Sequence, residues 1–185
     1  MNSPEAMADE VVIRPAEIER DADRIRSLDT SFETAAVLEV QSDGRSFQLV
    51  ETPVDPPMVK SFPLDLERRH EWERTWLALA AEKAIGVVAT QQEPWNRRAI
   101  IWHLYVDPGW RRQGIGRRLL DTALAAARTA GARTAWLETS NLNLPGIRAY
   151  ERLGFELCGL DTSLYDATPV EGEVALFLRR SLGQS

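Results

Sequence analysis

The middle of the chain carries an apolar strand, a loop rich in glycine and arginine, and an amphipathic helix in direct succession. The strand is predicted over Arg97 to Val106 and the helix over Ile115 to Ala130, where apolar residues recur at helical spacing and Gly131 follows as a C-terminal cap. A strand that leads through a short loop into a helix is a building unit of α/β folds. This segment therefore restricts the chain to a sheet with helices packed against it.

Segments on both sides of this unit supply the other strands and helices. Before it we predict a strand, a helix and two hairpins: Val11 to Pro15, Ala16 to Leu28, Val37 to Val40 with Phe47 to Val50, and Trp76 to Ala81 with Ala84 to Thr90. After it we predict a strand at Thr134 to Leu137, a helix opened by Asn143 to Gly146, and strands at Glu156 to Leu160 and Glu173 to Leu178. This order indicates an α/β fold with mixed strand directions, in one domain over residues 11–180 behind a flexible tail at residues 1–10.

Four prolines, at positions 53, 56, 57 and 63, fall between Glu51 and Glu67. Proline has no amide hydrogen and does not fit inside a helix or a central strand, so we predict a long loop here. Long ordered loops are often functional, and this one is either part of a substrate site or a solvated linker.

Composition narrows the functional classes. The 185 residues suit one core, and a net charge of −6 argues against a nucleic-acid binder. One cysteine and two histidines do not support an intrachain disulfide or a cysteine-rich metal site. No apolar run approaches the ~20 residues that cross a bilayer. We therefore expect a cytoplasmic protein with no metal, nucleic-acid or membrane partner.

The loop before the long helix has the chemistry of a phosphate site. Gly114 and Gly116 let the backbone approach a ligand closely, and the first turn of a helix offers unpaired amides with partial positive charge. Arg111, Arg112 and Arg117 add positive charge at the same place. The polyphosphate of a nucleotide-like cofactor is the guest that this combination favours.

Two other phosphate loops are possible in principle. A Walker loop is excluded because the chain contains no Gly-Lys-Ser/Thr. A dinucleotide fold places an acid about 20 residues beyond its glycines, and Glu138 stands there, but bulky Leu119 replaces the third glycine. The dinucleotide fold is thus the weaker alternative.

Leu104, Val106 and Pro108, followed by the run from Arg111 to Gly116, resemble the acyl-coenzyme A loop of the GCN5-related N-acetyltransferases (GNAT). The resemblance implies a single GNAT-like domain with a central mixed, mostly antiparallel twisted sheet flanked by helices, and acetyl-CoA as acyl donor. It also implies cofactor-binding roles for Leu104, Val106, Arg111, Arg112, Gln113, Gly114, Ile115, Gly116, Arg117 and Asn143.

Further stretches resemble, more narrowly, the streptothricin and nourseothricin acetyltransferases within that family. They are Ser31-Phe32, Pro53 to Lys60, Trp95 to Arg98 and Cys158 to Asp166. The resemblance implies a small-molecule amine as acceptor, such as a streptothricin-type antibiotic, with Lys60, Asp161, Tyr165 and Asp166 as its candidate contacts. The relatives carry adjacent acids where this chain has Trp102-His103.

Three residues are candidates for proton transfer, each beside a structural alternative. Tyr150 would protonate the leaving thiolate or pack in the core, and His103 would act as base or bond a neighbouring strand. Glu138 would act as base or cap a turn. We expect Cys158 to be a small buried residue and Glu173 to lie on a solvated rim.

Two other functions stay open at this point. One is acetylation of a protein lysine or N-terminus, and the other is a non-catalytic acyl-CoA sensor. The sequence leaves a homodimer open as well.

Overall fold

The computed structural model describes residues 10–62, 64 and 66–183, with the side chains of residues 68–70 outside the description. Nearly all of the predicted flexible tail, residues 1–10, therefore lies outside the described residues. The elements run in the order β1 (Val11–Pro15), α1 (Ile18–Arg26), β2 (Ser31–Ser42), β3 (Phe47–Ser61), β4 (Arg74–Ala80), β5 (Lys83–Glu93), β6 (Arg98–Val106), α2 (Ile115–Thr129), β7 (Thr134–Ser140), α3 (Leu144–Arg152), β8 (Glu156–Asp161) and β9 (Ala175–Ser181).

One mixed sheet organises the molecule. Its seven strands lie in the order β1-β4-β5-β6-β7-β9-β8, and β2 and β3 form a separate two-stranded sheet. β6 and β7 run parallel, whereas the other neighbours in the large sheet are antiparallel. The predicted α/β fold with a mixed, mostly antiparallel sheet is therefore confirmed.

Apolar side chains cover both faces of the sheet. On one face α2 buries Leu119, Leu120 and Leu124, and burial of each such side chain contributes roughly 1.5–3 kcal/mol. The helix approaches β5 closely because Gly86 has no side chain: a Cβ there would lie 2.9 Å from Leu119 Cδ1. On the other face α1 buries Ile25 in a second apolar cluster.

A buried ion pair holds α1 in place. Asp21 is fully buried, and its two carboxylate oxygens each accept a 2.7 Å hydrogen bond from Arg14. The Glu17 amide adds a bond of 2.9 Å at the start of the helix. The Arg14 hydrogen bonds lower the pKa of Asp21 to about 2 despite its burial.

The predicted long loop from Glu51 to Glu67 is wrong over residues 51–61, and Pro63 lies outside the described residues. Residues 51–61 belong to β3, which pairs only with β2. The pairing is interrupted between Thr34–Met58 and Ala36–Pro53, and the prolines at positions 56 and 57 fall inside this irregularity. No regular ladder bond is needed there, and a strand with a single partner tolerates proline.

The β2–β3 hairpin packs against the ends of β7 and α3. The Leu38 amide donates to the Asn141 carbonyl at 3.0 Å, and Asn141 Nδ2 donates to the Leu38 carbonyl at 2.7 Å. Arg148 on α3 adds an ion pair of 2.7 Å with Glu51. The hairpin thereby covers the C-terminal end of β7 and contacts α3.

Two predicted burial states are wrong. Cys158 is exposed, because β8 is the outermost strand of the sheet. Glu173 is buried rather than solvated, since Lys60 and Ser140 supply partners for its carboxylate. Among the described residues, no helix is long and apolar enough to cross a membrane.

Candidate active site

The parallel strands β6 and β7 separate halfway along their length. Their pairing runs from Arg98–Thr134 to Ile101–Leu137 and then ends, although both strands continue. On the other side of β6, Thr90 pairs with Ile101 and Ala89 with His103, so Trp102 is an extra residue. This bulge bends β6 at the point where the two strands part. A gap opens between the C-terminal halves of β6 and β7.

The loop from β6 to α2 brings backbone amides to the mouth of this gap. The Asp107 carboxylate accepts from the Gly109 amide at 3.0 Å and shapes the first turn. Arg112 and Gly114 have left-handed backbones, with φ of 64° and 79°. The Arg118 amide donates to the Gly114 carbonyl at 3.0 Å and closes the first turn of α2. The amides before Arg118 therefore face outward, where an anionic group binds well.

Side chains of the loop hold its shape. Arg111 donates from Nε to the Val106 carbonyl at 2.9 Å and from Nη2 to the Ser31 carbonyl, which ties the loop to the start of β2. Burial lowers the pKa of its guanidinium. Gln113 donates to the Gly109 carbonyl at 3.4 Å, and Arg117 donates to the Arg152 carbonyl at 3.1 Å.

A second helix begins opposite this loop. The Asn143 side chain accepts from the Gly146 amide at 3.1 Å and donates to Thr139 Oγ1 at 3.1 Å, so it caps α3 and joins it to β7. Half-buried Tyr150 lies two turns further along the helix, and its ring contacts Phe155 edge-on at 6.0 Å.

A cleft of about 550 Å³ lies between the two helices and the end of β6. Of the predicted cofactor residues, the following line it: Leu104, Val106, Arg111, Arg112, Gly114, Ile115, Gly116 and Asn143. Gln113 and Arg117 are not among the lining residues. Tyr150 lines the cleft as well.

Four aromatic residues of the wall are not among the predicted site residues: Phe32, Phe62, Tyr105 and Trp110. Phe32 and Phe62 come from the two ends of the hairpin and stack with ring centroids 5.7 Å apart, and Tyr105 comes from β6. Phe32 and Phe62 lie 80 and 50 positions before Arg112 of the loop, so their approach depends on the tertiary fold. Tyr105 stands between the predicted residues Leu104 and Val106 on β6, and this position in the sequence could have identified it as part of the cleft wall.

Glu138 lies on β7, one residue beyond the last pair with β6. Each of the three tyrosines of the chain interacts with Glu138, either by a hydrogen bond or through the effect of its charge on the tyrosine pKa. The Tyr165 hydroxyl donates to Glu138 Oε1. Burial, and then the charge of Glu138, raises the pKa of Tyr150 to about 12. Burial also raises the pKa of Tyr105, with Tyr150 and Glu138 adding to the effect.

The carboxylate of Glu138 is set up to accept a proton. Glu138 is an exposed residue, but nearby protein atoms partly desolvate its carboxyl group, and this desolvation raises the pKa of the carboxyl group. The Tyr165 hydrogen bond acts in the opposite direction. A carboxylate with a raised pKa thus lies within electrostatic range of Tyr150, which lines the cleft and stays protonated at neutral pH, although Glu138 itself is not among the lining residues.

The other predicted residues lie around this centre. The His103 ring packs against Trp72, with centroids 4.7 Å apart, and against Tyr105 at 5.8 Å. Lys60 forms an ion pair with Glu173, and burial lowers the pKa of its ammonium group. Asp161 Oδ1 accepts from the amide and the hydroxyl of Ser163, both at 2.8 Å. Asp166 is exposed on the segment between β8 and β9.

No group of three or more histidine, cysteine, aspartate or glutamate residues in the described part of the chain is arranged to hold a metal ion.

Known proteins share this architecture. The profile of the acetyltransferase (GNAT) family matches residues 41–155. The chain is similar to the streptothricin acetyltransferase of Streptomyces lavendulae, with 44% identity over 167 residues that cover 85% of this chain and 88% of that protein.

Two crystal structures match most of the chain. A nourseothricin acetyltransferase superposes with a TM-score of 0.86 and 41% identity, over 94% of this chain and 99% of that one. A candidate streptothricin acetyltransferase from Bacillus anthracis str. Ames, in complex with acetyl coenzyme A, superposes with a TM-score of 0.79 and 26% identity over the same shares.

The cleft is formed by β6, the loop after it and the N-termini of α2 and α3. All of these lie within the segment 41–155 that the family profile matches. The amides at Gly114 and Gly116 and the cleft that continues from them suit the phosphates and the pantetheine arm of acetyl-CoA. The chain belongs to the acetyltransferase (GNAT) family and is an acetyl-CoA-dependent N-acetyltransferase.

Proposed function

We propose that this enzyme acetylates a primary amine of a streptothricin-type small molecule by direct transfer, with Glu138 as base and Tyr150 as acid. The proposal is carried by one observation: Glu138 lies where β6 and β7 separate, and its charge acts on Tyr150 in the wall of the cofactor cleft. The two groups assigned to proton transfer thus lie close enough for the charge of Glu138 to raise the pKa of Tyr150.

The acceptor must lose a proton before it reacts. An alkylamine with a pKa near 10.4 is almost wholly protonated at pH 7, and removing that proton costs about 4–5 kcal/mol. Glu138 is suited to attract the ammonium group and to take its proton, since partial burial raises the pKa of its carboxyl group. We assign this role to Glu138 rather than His103, whose ring packs against Trp72 and Tyr105.

The transfer balances with these two residues. Glu138 takes the ammonium proton, and the amine lone pair forms the new bond to the acetyl carbon. The carbon–sulfur bond breaks, and its electron pair leaves with the sulfur. Tyr150 supplies a proton to this thiolate, and its high pKa of about 12 keeps the hydroxyl protonated until it is needed. The acetylated nitrogen loses its second proton to solvent and becomes an amide. Glu138 then releases its proton to solvent, and the Tyr150 phenolate regains one, which resets both groups.

The relatives support the acceptor class. The chain matches a streptothricin acetyltransferase and a nourseothricin acetyltransferase over most of both lengths. In this chain Trp102 and His103 stand at the β6 bulge, and Trp102 Nε1 donates to Gln91 Oε1 at 3.0 Å. Glu138, and Asp166 on the segment that also carries Tyr165, supply the negative charge that would bind a cationic amine.

Cytoplasmic location and homodimer formation remain predictions.

Two substitutions test the assignment. Glu138→Gln and Tyr150→Phe are each expected to lower kcat about 10²- to 10⁴-fold in thiol-release assays, the usual contribution of general acid–base catalysis. Binding of acetyl-CoA, measured by calorimetry, should change little. Trp95→Ala is the matched control, because Trp95 is 85% exposed on the turn between β5 and β6. Wild-type turnover in Glu138→Gln would remove Glu138 from the mechanism.

A panel of acceptors tests the substrate class. Turnover should be fastest with a streptothricin-type compound and slower with simple polyamines and lysine-containing peptides. Faster turnover of peptides would point to protein acetylation instead. Acetyl-CoA binding without turnover of any amine would point to a sensor.

A further inference from the structure

The segment 162–174 between β8 and β9 carries Tyr165 but has little regular structure of its own. Its backbone folds as successive turns, in which the amides of Asp166, Thr168, Glu171 and Glu173 donate to carbonyls three residues earlier. A segment without ladder bonds or a core of its own takes its position from its two ends. The placement of Tyr165 against Glu138 therefore depends on how those ends are attached.

The C-terminal end is attached through the Glu173 carboxylate. Glu173 is 9% exposed, and its Oε1 forms the ion pair with Lys60 while its Oε2 accepts from the Ser140 hydroxyl. The Lys60 side chain is itself only 16% exposed. Removal of one partner from a buried ion pair leaves the other charge uncompensated, so this attachment is hard to displace.

Asn141 completes the attachment beside Glu173. Its amide donates to the Val174 carbonyl at 2.9 Å, and its Oδ1 accepts from the Val174 amide at 2.8 Å. The same residue exchanges two hydrogen bonds with Leu38 of the hairpin. Lys60, Ser140, Asn141 and Glu173, here called the junction, thus join β7, the hairpin and the segment 162–174.

The junction lies close to the proposed chemistry on two sides. Ser140 is two residues beyond Glu138 on β7, and Lys60 Nζ lies 5.1 Å from the ring centre of Phe62, which lines the cofactor cleft. At the other end of the segment, Asp161 accepts both hydrogen bonds from Ser163. Between these two ends Tyr165 reaches Glu138.

We propose that Glu173 is a positioning residue for acetyl transfer: held by Lys60 and Ser140, it fixes the segment 162–174 so that the Tyr165 hydroxyl reaches Glu138. This role rests on the proposed function of Glu138. Glu173 does not touch the reacting atoms, and it acts through Tyr165.

A double-mutant cycle of Glu173→Gln and Tyr165→Phe tests this inference. Glutamine keeps the shape of the side chain and can still accept from Ser140, but it loses the charge that pairs with Lys60. Each single variant should lower kcat/KM for the amine about 10-fold, the worth of one charge-assisted hydrogen bond. The double variant should be no slower than the slower single variant, because both changes remove the same contact.

The pH profile gives a second readout that a purely structural role would not move. The Tyr165 hydrogen bond lowers the pKa of Glu138, so its loss raises that pKa. The acid limb of kcat/KM should therefore shift to higher pH in both single variants. Acetyl-CoA affinity and the melting temperature report whether the fold is intact, and Ser140→Ala provides a milder loss of the same attachment if Glu173→Gln does not fold.

Arg148→Ala is the matched control. It removes the exposed pair with Glu51, which also joins the hairpin to the body, and its effect should be small and independent of Tyr165→Phe. The inference would be overturned if the losses of kcat/KM caused by Glu173→Gln and Tyr165→Phe multiply in the double variant. It would also be overturned if the acid limb of the pH profile does not move in Glu173→Gln. Failure of the proposed function is distinguishable from this outcome, because it would appear as full activity in Glu138→Gln.

Discussion

Gly114 allows the phosphate site to be tested by charge alone. Its φ of 79° is left-handed, and a Cβ built there meets no heavy atom within 4 Å. A side chain at this position therefore meets backbone strain but no clash. Asparagine and aspartate tolerate this backbone better than other residues with side chains, and they have nearly the same shape. We expect Gly114→Asn and Gly114→Asp to fold with similar small losses of stability.

The two variants should differ in acetyl-CoA affinity. A carboxylate at position 114 would lie about 6 Å from a phosphate on the helix amides, and at an effective dielectric constant of about 20–40 each like-charge pair costs about 1.4–2.8 kcal/mol. This corresponds to roughly 10- to 100-fold weaker binding for Gly114→Asp than for Gly114→Asn.

Calorimetric titration with acetyl-CoA measures the difference. At low ionic strength the aspartate variant should bind 10- to 100-fold more weakly than the asparagine variant, and about 1 M salt should reduce the gap, because the screening length falls to about 3 Å. Equal affinities at low salt would mean that the phosphates do not bind at the start of α2.

Three further predictions concern stability and the role of the cysteine. Asp21→Asn should lower the free energy of unfolding by about 2–3 kcal/mol at pH 7, because the Asp21 pKa is depressed from 3.8 to about 2. In the wild type this stability is present above about pH 4 and is lost as the pH falls toward 2. Denaturant titrations at several pH values measure this dependence. Gly86→Ala should destabilise the fold by roughly 1–3 kcal/mol, because its Cβ would lie 2.9 Å from Leu119 Cδ1; an unchanged melting temperature would contradict the tight contact. Cys158→Ser should leave turnover unchanged, because the residue is exposed on the outermost strand and partial desolvation of its sulfur raises rather than lowers the pKa of the thiol. A large loss of kcat would argue for an acyl-cysteine step.

Local sequence patterns were sufficient for the strand, loop and helix that hold the cofactor. The apolar spacing from Ile115 onward and the glycine at 131 predict α2 to within a residue of its observed start and end. The phosphate loop was recognisable because its residues are contiguous. Left-handed Gly114 is a property that the sequence pattern already requires.

The proline-rich strand β3 and the burial of Glu173 could not be predicted from local sequence patterns. Prolines at positions 53, 56 and 57 normally exclude a strand, and they fit here because β3 has one partner and an interrupted ladder. Glu173 has the sequence environment of an exposed acid, and the approach of Lys60, 113 positions away, together with Ser140 makes its burial favourable. Contacts of this range leave no periodic signal in the sequence.

The fate of the acetyl group decides whether the chemistry is as described. The enzyme would be incubated with acetyl-CoA and a streptothricin-type amine, and free thiol and acceptor mass would be followed together. We predict one thiol released for each acceptor molecule that gains one acetyl group on an amine nitrogen, with both signals reduced together in Glu138→Gln. Thiol release without an acetylated acceptor, or an acetyl group retained on the protein, would contradict direct transfer to a small-molecule amine.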